Sequence, residues 1–401
     1  MLSANRATLI TKRAYNSRVI PIDITSKDGW RNSLKNNTLL NKLHQLNQNK
    51  KILIKPHTDE TTSNEINSNE TLPITCMPIQ TIAESIKNDN SIGNWRKPLV
   101  KWIRVGKFLL STYRSGLKFT WSTYFETKSF KYTPKELIKL IEFKETESRI
   151  LKKNKMNELA ISRREYLQWL RRAEFWKIPK FALTLLVFEE LTPLLCYLFP
   201  HLAPWNCLTP GLYKKITASR NKRPTQDFDI NKKYISPYEV DKKMLSEYLV
   251  SQCIVPAWKM RLYRITNEYR IPLLSLVEVN HKTIIDDWLL LREFLKSENE
   301  VATVISDKEI VDAVFRRQLY TSDEDLNKMV QDMRGQEVLK LRLLIYLAFK
   351  YDCTLSAHDI NGQLLAEKWG VDNMATFNYR GSNRLLTANV LDNLESNDNS
   401  P

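Results

Sequence analysis

The sequence predicts an all-α chain with one transmembrane helix and a disordered N-terminal region. Three observations predict it: glycine is scarce, helix starts are explicit, and one long apolar run occurs. Glycine supplies only 9 of 401 residues, against a usual ~7%. That argues against glycine-rich β architectures and phosphate-cradling loops, and neither G-x-G-x-x-G nor G-x-x-x-x-G-K-[ST] is present. Cys76, Cys196, Cys207, Cys253 and Cys353 are scattered without a C-x-x-C, and no H-E-x-x-H occurs. No zinc site, disulfide framework, metal or cofactor is therefore expected. No catalytic constellation is visible either, so the chain does not read as an enzyme.

The N-terminal segment reads as an address. Residues 1–22 hold Arg6, Lys12, Arg13 and Arg18, several hydroxyl residues and no acid, the makeup of a mitochondrial transit peptide. Arg13-Ala14-Tyr15-Asn16-Ser17 fits a matrix-peptidase pattern, which puts the expected mature N-terminus near Asn16 or Ser17 and the peptide at 1–16. Residues 17–92 are Asn/Ser/Thr-rich with few apolar side chains, and they are expected to form a disordered spacer.

The basic charge is concentrated next. Residues 91–180 contain 22 Lys/Arg and 8 Asp/Glu, an excess of 14 out of a net +16. Aromatic residues interleave there, among them Trp95, Trp102, Phe108, Tyr113, Trp121 and Phe125. Basic and aromatic residues together suit anionic lipid or nucleic acid, and composition alone does not separate the two. Residues 93–177 are expected to be membrane-proximal helices.

Five capping boxes mark helix starts, with a hydroxyl at N-cap and Glu three residues on. They are Thr133/Glu136, Ser162/Glu165, Ser236/Glu239, Ser306/Glu309 and Thr321/Glu324. Apolar residues follow at helical spacing, and Ile284–Leu295 and Val338–Phe349 add longer periodic runs. Residues 236–375 read as one helical domain, joined to the preceding run by a basic linker over 201–235. Residues 376–401 form a tail that turns acidic from Asn389.

The apolar run is Ile178–Pro200, 23 residues that would reach roughly 35 Å as one helix, against a hydrocarbon core of about 30 Å. Its twelve Ile, Val, Leu and Phe residues favour insertion, each by about 0.3–0.6 kcal/mol. Glu189 and Glu190 oppose it by roughly 2.5–3.5 kcal/mol each when charged. A span so finely balanced must shield its carboxylates, and intramembrane carboxylates are functional candidates. A buried core helix is the other reading; Pro179, Pro193 and Pro200 make it awkward.

The order of these features resembles the LETM family, leucine zipper, EF-hand-containing transmembrane proteins of the mitochondrial inner membrane. The resemblance rests on Gly106-Lys107-Phe108-Leu109-Leu110, on Ile161-Ser162-Arg163-Arg164-Glu165, on Gln168-Trp169-Leu170-Arg171 and on Leu198-Phe199-Pro200-His201-Leu202-Ala203-Pro204. It covers roughly residues 95–235. It implies a single-pass inner-membrane protein whose downstream region is a helical ribosome-binding-like domain in the matrix. It also implies a role in potassium/proton exchange (by other accounts calcium/proton) and in cation and volume homeostasis, with the mitochondrial ribosome as partner. The EF-hand has decayed: Asp227, Asp229 and Asn231 remain, but Lys232 stands at the sixth position and Tyr238 at the twelfth, so calcium is not held there.

Two sets of site residues follow. Glu189 and Glu190 are the candidates for ion and proton coupling; the family's acid lies four residues before a proline, which favours Glu189, while counting from Pro179 favours Glu190. Arg163, Arg164, Arg171 and Arg172 are the candidates for phosphate or ribosome contact; the simpler account of the box is that Ser162 and Glu165 only cap a helix. The expected partners are the mitochondrial ribosome, anionic inner-membrane lipids, and potassium ions with protons. One helix cannot enclose an ion route, so transport requires a homo-oligomer or other subunits. The alternative function is an adaptor that tethers mitochondrial ribosomes to the membrane for insertion of mitochondrially encoded proteins and transports nothing.

Overall fold

A computed structural model gives the fold for residues 27–55, 93–130, 161–188, 191–199, 202–221, 241–251, 254–298, 301–317, 319–320 and 324–350, with isolated positions between 66 and 88 and between 132 and 147. The described chain is mostly helical, as expected. It begins with two helices in the stretch read as spacer, α1 (Lys27–Asn36) and α2 (Thr38–Gln48). Asn37 holds extended backbone between them, and its side-chain oxygen accepts from the Leu40 amide at 2.8 Å to cap α2. Leu39, Leu40, Leu43 and Leu46 fall on one face of α2 and are buried. A short strand, β1 (Ile52–Lys55), then pairs in parallel with β2 (Thr303–Ser306), Ile52 opposite Thr303. The disordered reading is corrected for residues 27–55. Few apolar residues suffice when all of them face one way, and Trp30, Leu40, Leu43 and Ile52 join the same core as Leu290, Val314 and Leu344.

Next come α3 (Lys97–Glu126), with proline in its first turn, and α4 (Arg163–Arg171). The capping box expected at α4 forms: the Glu165 amide donates to Ser162 Oγ at 3.2 Å and the Ser162 amide to Glu165 Oε2 at 2.8 Å. A 3-10 turn over Arg172–Lys177 leads into α5 (Ile178–Phe188) and α6 (Thr192–Leu198). After a second 3-10 turn at Trp205–Cys207 follow α7 (Pro210–Asn221), α8 (Lys242–Ser251), α9 (Ala257–Thr266) and the long α10 (Arg270–Lys296). The chain closes with α11 (Asp307–Arg317), α12 (Leu326–Met329) and α13 (Met333–Lys350). The Thr133/Glu136 box also forms. Ser306 caps α11 through the Glu309 amide at 3.2 Å. Ser236 and Thr321 lie outside the described residues, and the helix after Thr321 starts only at Leu326.

The expected transmembrane helix is not found. No helix among the described residues is long and apolar enough to cross a membrane. The run 178–200 supplies instead α5 and α6, and the Thr192 hydroxyl donates to the Thr184 carbonyl at 3.4 Å. Eight residues of straight helix rise about 12 Å, so α6 starts beside α5 rather than extending it. One core takes side chains from α2, α3, α4, α7, α10, α11 and α13, while a smaller cluster of Leu245, Leu249, Val255, Met260, Leu273 and Leu276 joins α8, α9 and the start of α10.

Candidate membrane-binding surface

Helix α3 carries two faces of opposite purpose. Val105, Thr112, Tyr113, Gly116, Thr120 and Thr123 are buried along one side. Small and hydroxyl residues let another backbone approach, and the hydroxyls bond within the helix: Thr112 Oγ1 to the Phe108 carbonyl at 2.9 Å and Thr120 Oγ1 to the Gly116 carbonyl at 2.8 Å. The Trp205–Cys207 turn packs there so closely that a Cβ on Gly116 would lie 2.7 Å from Cys207 Sγ and 2.9 Å from the Asn206 oxygen. On the other side Trp102 is 74% exposed, and Leu99, Ile103, Leu110, Trp121 and Phe125 are exposed with it. Lys107, Arg114 and Lys118 are exposed beside this stripe, and α3 contains no acid before Glu126. An apolar stripe with a cationic flank is the pattern of a helix lying in an anionic lipid interface.

The stripe continues into the 3-10 turn. Tyr124 stacks on Phe175 with centroids 3.9 Å apart, Trp121 lies 5.3 Å from the same ring, and Trp176 stands exposed beside them. The Arg172 guanidinium covers Tyr124 at 5.4 Å from its centroid. From there the exposed side chains of α5 and α6 extend the apolar surface, while Phe181, buried against Tyr113 at 5.5 Å between ring centroids, pins α5 to α3.

Beneath this surface lies a buried ion network. Arg163, 1% exposed, donates from Nε to Asp286 Oδ1 at 2.9 Å and pairs through Nη2 with Glu309 Oε1 at 2.5 Å. Arg317 donates to Asp287 Oδ1 at 2.7 Å and Asp286 Oδ2 at 2.8 Å. Arg316 reaches Asp312 Oδ2 at 2.8 Å and Asp286 Oδ2 at 3.4 Å, while Arg171 reaches both Asp312 oxygens at 3.2 Å. Tyr346 donates to Asp287 at 2.9 Å and the Asn67 amide to Glu309 at 2.5 Å. Four guanidinium groups thus meet four carboxylates, a neutral balance that makes burial tolerable. Burial by itself would raise the Asp286 carboxyl, but Arg163, Arg316 and Arg317 hold it well below the usual carboxylate range.

The expected phosphate contacts are therefore redistributed. Arg163 is corrected from surface contact to core ion pair, because its guanidinium is enclosed by Asp286 and Glu309. Arg171 is largely committed too, paired with Asp312 and lying 4.6 Å over the Trp205 ring. Arg164 and Arg172 remain partly exposed. Glu189 and Glu190 lie outside the described residues. Among the described residues no cluster of His, Cys, Asp and Glu could hold a metal ion.

The pentamidine resistance factor domain matches residues 66–295, more than half of the chain. The chain belongs to the pentamidine resistance factor family. A relative from Saccharomyces cerevisiae, "Pentamidine resistance factor, mitochondrial", is 33% identical over 346 residues, which cover 78% of this chain and 81% of the relative. That description supports the mitochondrial address read from residues 1–22. No solved structure matches the chain. The family named is thus not the LETM family that the motifs resemble, and the transport and ribosome roles implied by that resemblance do not come with it. The pentamidine resistance factor match contains α3 to α10, hence the aromatic stripe, both short helices of the apolar run and the Arg163–Asp286 pair. It leaves out Glu309, Asp312, Arg316 and Arg317, which complete the network from α11.

The sequence reading missed the acids of this network. Their only signal was position: Asp286 and Asp287 interrupt the apolar run Ile284–Leu295, and a buried helix carries adjacent acids only when partners meet them. It missed also the outward stripe of α9, where Trp258, Leu262 and Ile265 are exposed at helical spacing among Lys259, Arg261 and Arg264.

Proposed function

We propose that this chain is a mitochondrial adaptor bound to the surface of the inner membrane, which it grips through α3 and the α5–α6 hairpin while its remaining helices offer a basic surface to the mitochondrial ribosome. The observation that carries the proposal is the acid-free apolar and cationic stripe of α3, continuous with Trp176 and the hairpin. On the ribosome side α9 supports the reading better than the Arg163 box does, since Lys259, Arg261 and Arg264 are exposed. The family name adds an expectation of its own: loss of the chain should change cellular sensitivity to pentamidine.

The test is co-sedimentation of the purified chain with phosphatidylcholine vesicles, with and without cardiolipin, and with mitochondrial ribosomes, over a salt series. The proposal expects binding to cardiolipin vesicles and ribosomes that falls steeply with ionic strength. Binding to neither overturns it. Potassium/proton exchange with cation and volume homeostasis is the second reading; it rests on the LETM resemblance and on Glu189 and Glu190. Its test is swelling of de-energised mitochondria in potassium acetate. Swelling lost on deletion, and restored by the wild-type chain but not by E189Q or E190Q, supports exchange; intact swelling in the deletion strain supports the adaptor.

A further inference from the structure

We infer that α5 and α6 both sit in a single leaflet, entered and left from one face of the membrane, with the described residues before and after them on the same side. The inference rests on the membrane reading above and replaces a crossing with a topology. Its main support is what holds the two flanks together. Before the hairpin stand Gly116, Arg163, Tyr166 and Glu174; after it stand Asn206, Lys282 and Asp286. Arg163 and Asp286 form a buried ion pair at 2.9 Å, the Tyr166 hydroxyl donates to the Lys282 carbonyl at 2.9 Å, and the Trp205 amide donates to Glu174 at 2.9 Å. Gly116 touches the Asn206 backbone. A single crossing would put a bilayer between these partners and tear apart one core.

The hairpin has the dimensions of a one-leaflet insert. α5 has 11 residues and α6 has 7, about 16 and 10 Å of helix, against a hydrocarbon core of about 30 Å. The bond from the Thr192 hydroxyl to the Thr184 carbonyl sets the start of α6 beside α5, and Thr192 itself is fully buried. Each helix turns one apolar stripe outward: Leu183, Leu186 and Val187 from α5, and Leu194 and Leu198 from α6 with Leu191 just before it; Leu186 is 77% exposed. A surface of that size is an interaction site.

Its charge pattern selects anionic lipid. Among the described residues none between Lys180 and Lys214 is charged, and cations close both ends: Arg172 and Lys180 on entry and Lys215 on exit, with Lys177 and Lys214 beside them paired to Glu174 and Asp325 at 2.9 Å. Lys215 donates to the Tyr197 carbonyl at 2.5 Å and lies 4.0 Å over the Tyr197 ring, holding an ammonium where the apolar stripe ends. Trp176 and Trp121 border the same edge, where indoles favour the headgroup region.

The test has two arms. In mitoplasts, the full chain carries one epitope after Lys128 and another at its C-terminus, and protease is added from outside. One-sided seating gives both epitopes the same fate; one digested and one protected overturns it. In the second arm, L186E/L194E is compared with wild type for binding to cardiolipin-containing vesicles, with a thermal melt to show that the fold is kept. Two exposed leucines removed from lipid should weaken binding by at least roughly tenfold at an unchanged melting temperature. Equal binding by the variant overturns the hairpin as anchor. If the wild type fails to bind at all, the membrane reading itself falls, an outcome separate from either of these.

Discussion

Asp286 sits at the centre of the network with Arg163, Arg316 and Arg317 all within 3.4 Å, and it shows why a charge in a core is an all-or-nothing arrangement. Removing it leaves four buried guanidinium groups facing three carboxylates, so D286A is expected to cost about 3–5 kcal/mol in chemical denaturation at neutral pH. The same carboxyl sets an acid dependence. Its folded value lies below its unfolded one, so its contribution is fully present above the ordinary carboxylate range and disappears as pH falls through the folded value. Stability should fall as pH drops below about 4, and D286N should flatten that slope. Gly116 offers a second residue-scale expectation. Its neighbour is a backbone oxygen that cannot rotate away, so G116A should lower stability by about 1–3 kcal/mol in a thermal melt without touching the exposed stripe.

At the scale of the element, α3 separates fold from binding. Its buried side is built from hydroxyls and one glycine, its exposed side from indoles, aliphatics and cations. Lys107, Arg114 and Lys118 are exposed on that side, and each cation near an anionic surface contributes on the order of 1 kcal/mol. Replacing all three by alanine should weaken binding to cardiolipin vesicles by about a hundredfold and reduce its salt dependence, with the melting temperature unchanged. The same binding at every salt concentration would remove α3 from the interface. Legibility differs between the two sides. Interleaved Trp and Lys were visible in the sequence. The packing of Asn206 and Cys207 on Gly116 was not, because ninety residues separate them and no local pattern records it.

At the scale of the molecule, β1 and β2 close the fold across some two hundred and fifty residues, and α2 packs its leucines on α13. The N-terminal helices are thus part of the core. A chain starting at Asn16 or Ser17 should unfold in one cooperative transition, whereas a chain starting at Pro56 should lose it and expose Val314 and Leu344 to water. Circular dichroism melts of the two chains decide this; identical melts would restore the spacer reading for residues 17–55. N-terminal sequencing of the mitochondrial protein checks the start itself, and an intact Met1 would end the transit-peptide reading.

What the sequence by itself determined was whatever depends on near neighbours: helical class, the caps at Ser162 and Thr133, the basic and aromatic character of 93–177, and the apolar run at 178–200. These follow from spacing along the chain, since a cap needs a hydroxyl and a glutamate three residues apart and nothing else. Tertiary structure alone decided what each feature was for. Arg163 reads as a surface cation until Asp286 and Glu309, more than a hundred residues away, enclose it. The run 178–200 reads as a span by its hydropathy. Its described residues form two short helices instead, and buried pairs between its flanks hold both ends together; side chains brought together by folding carry no mark of that meeting in the chain.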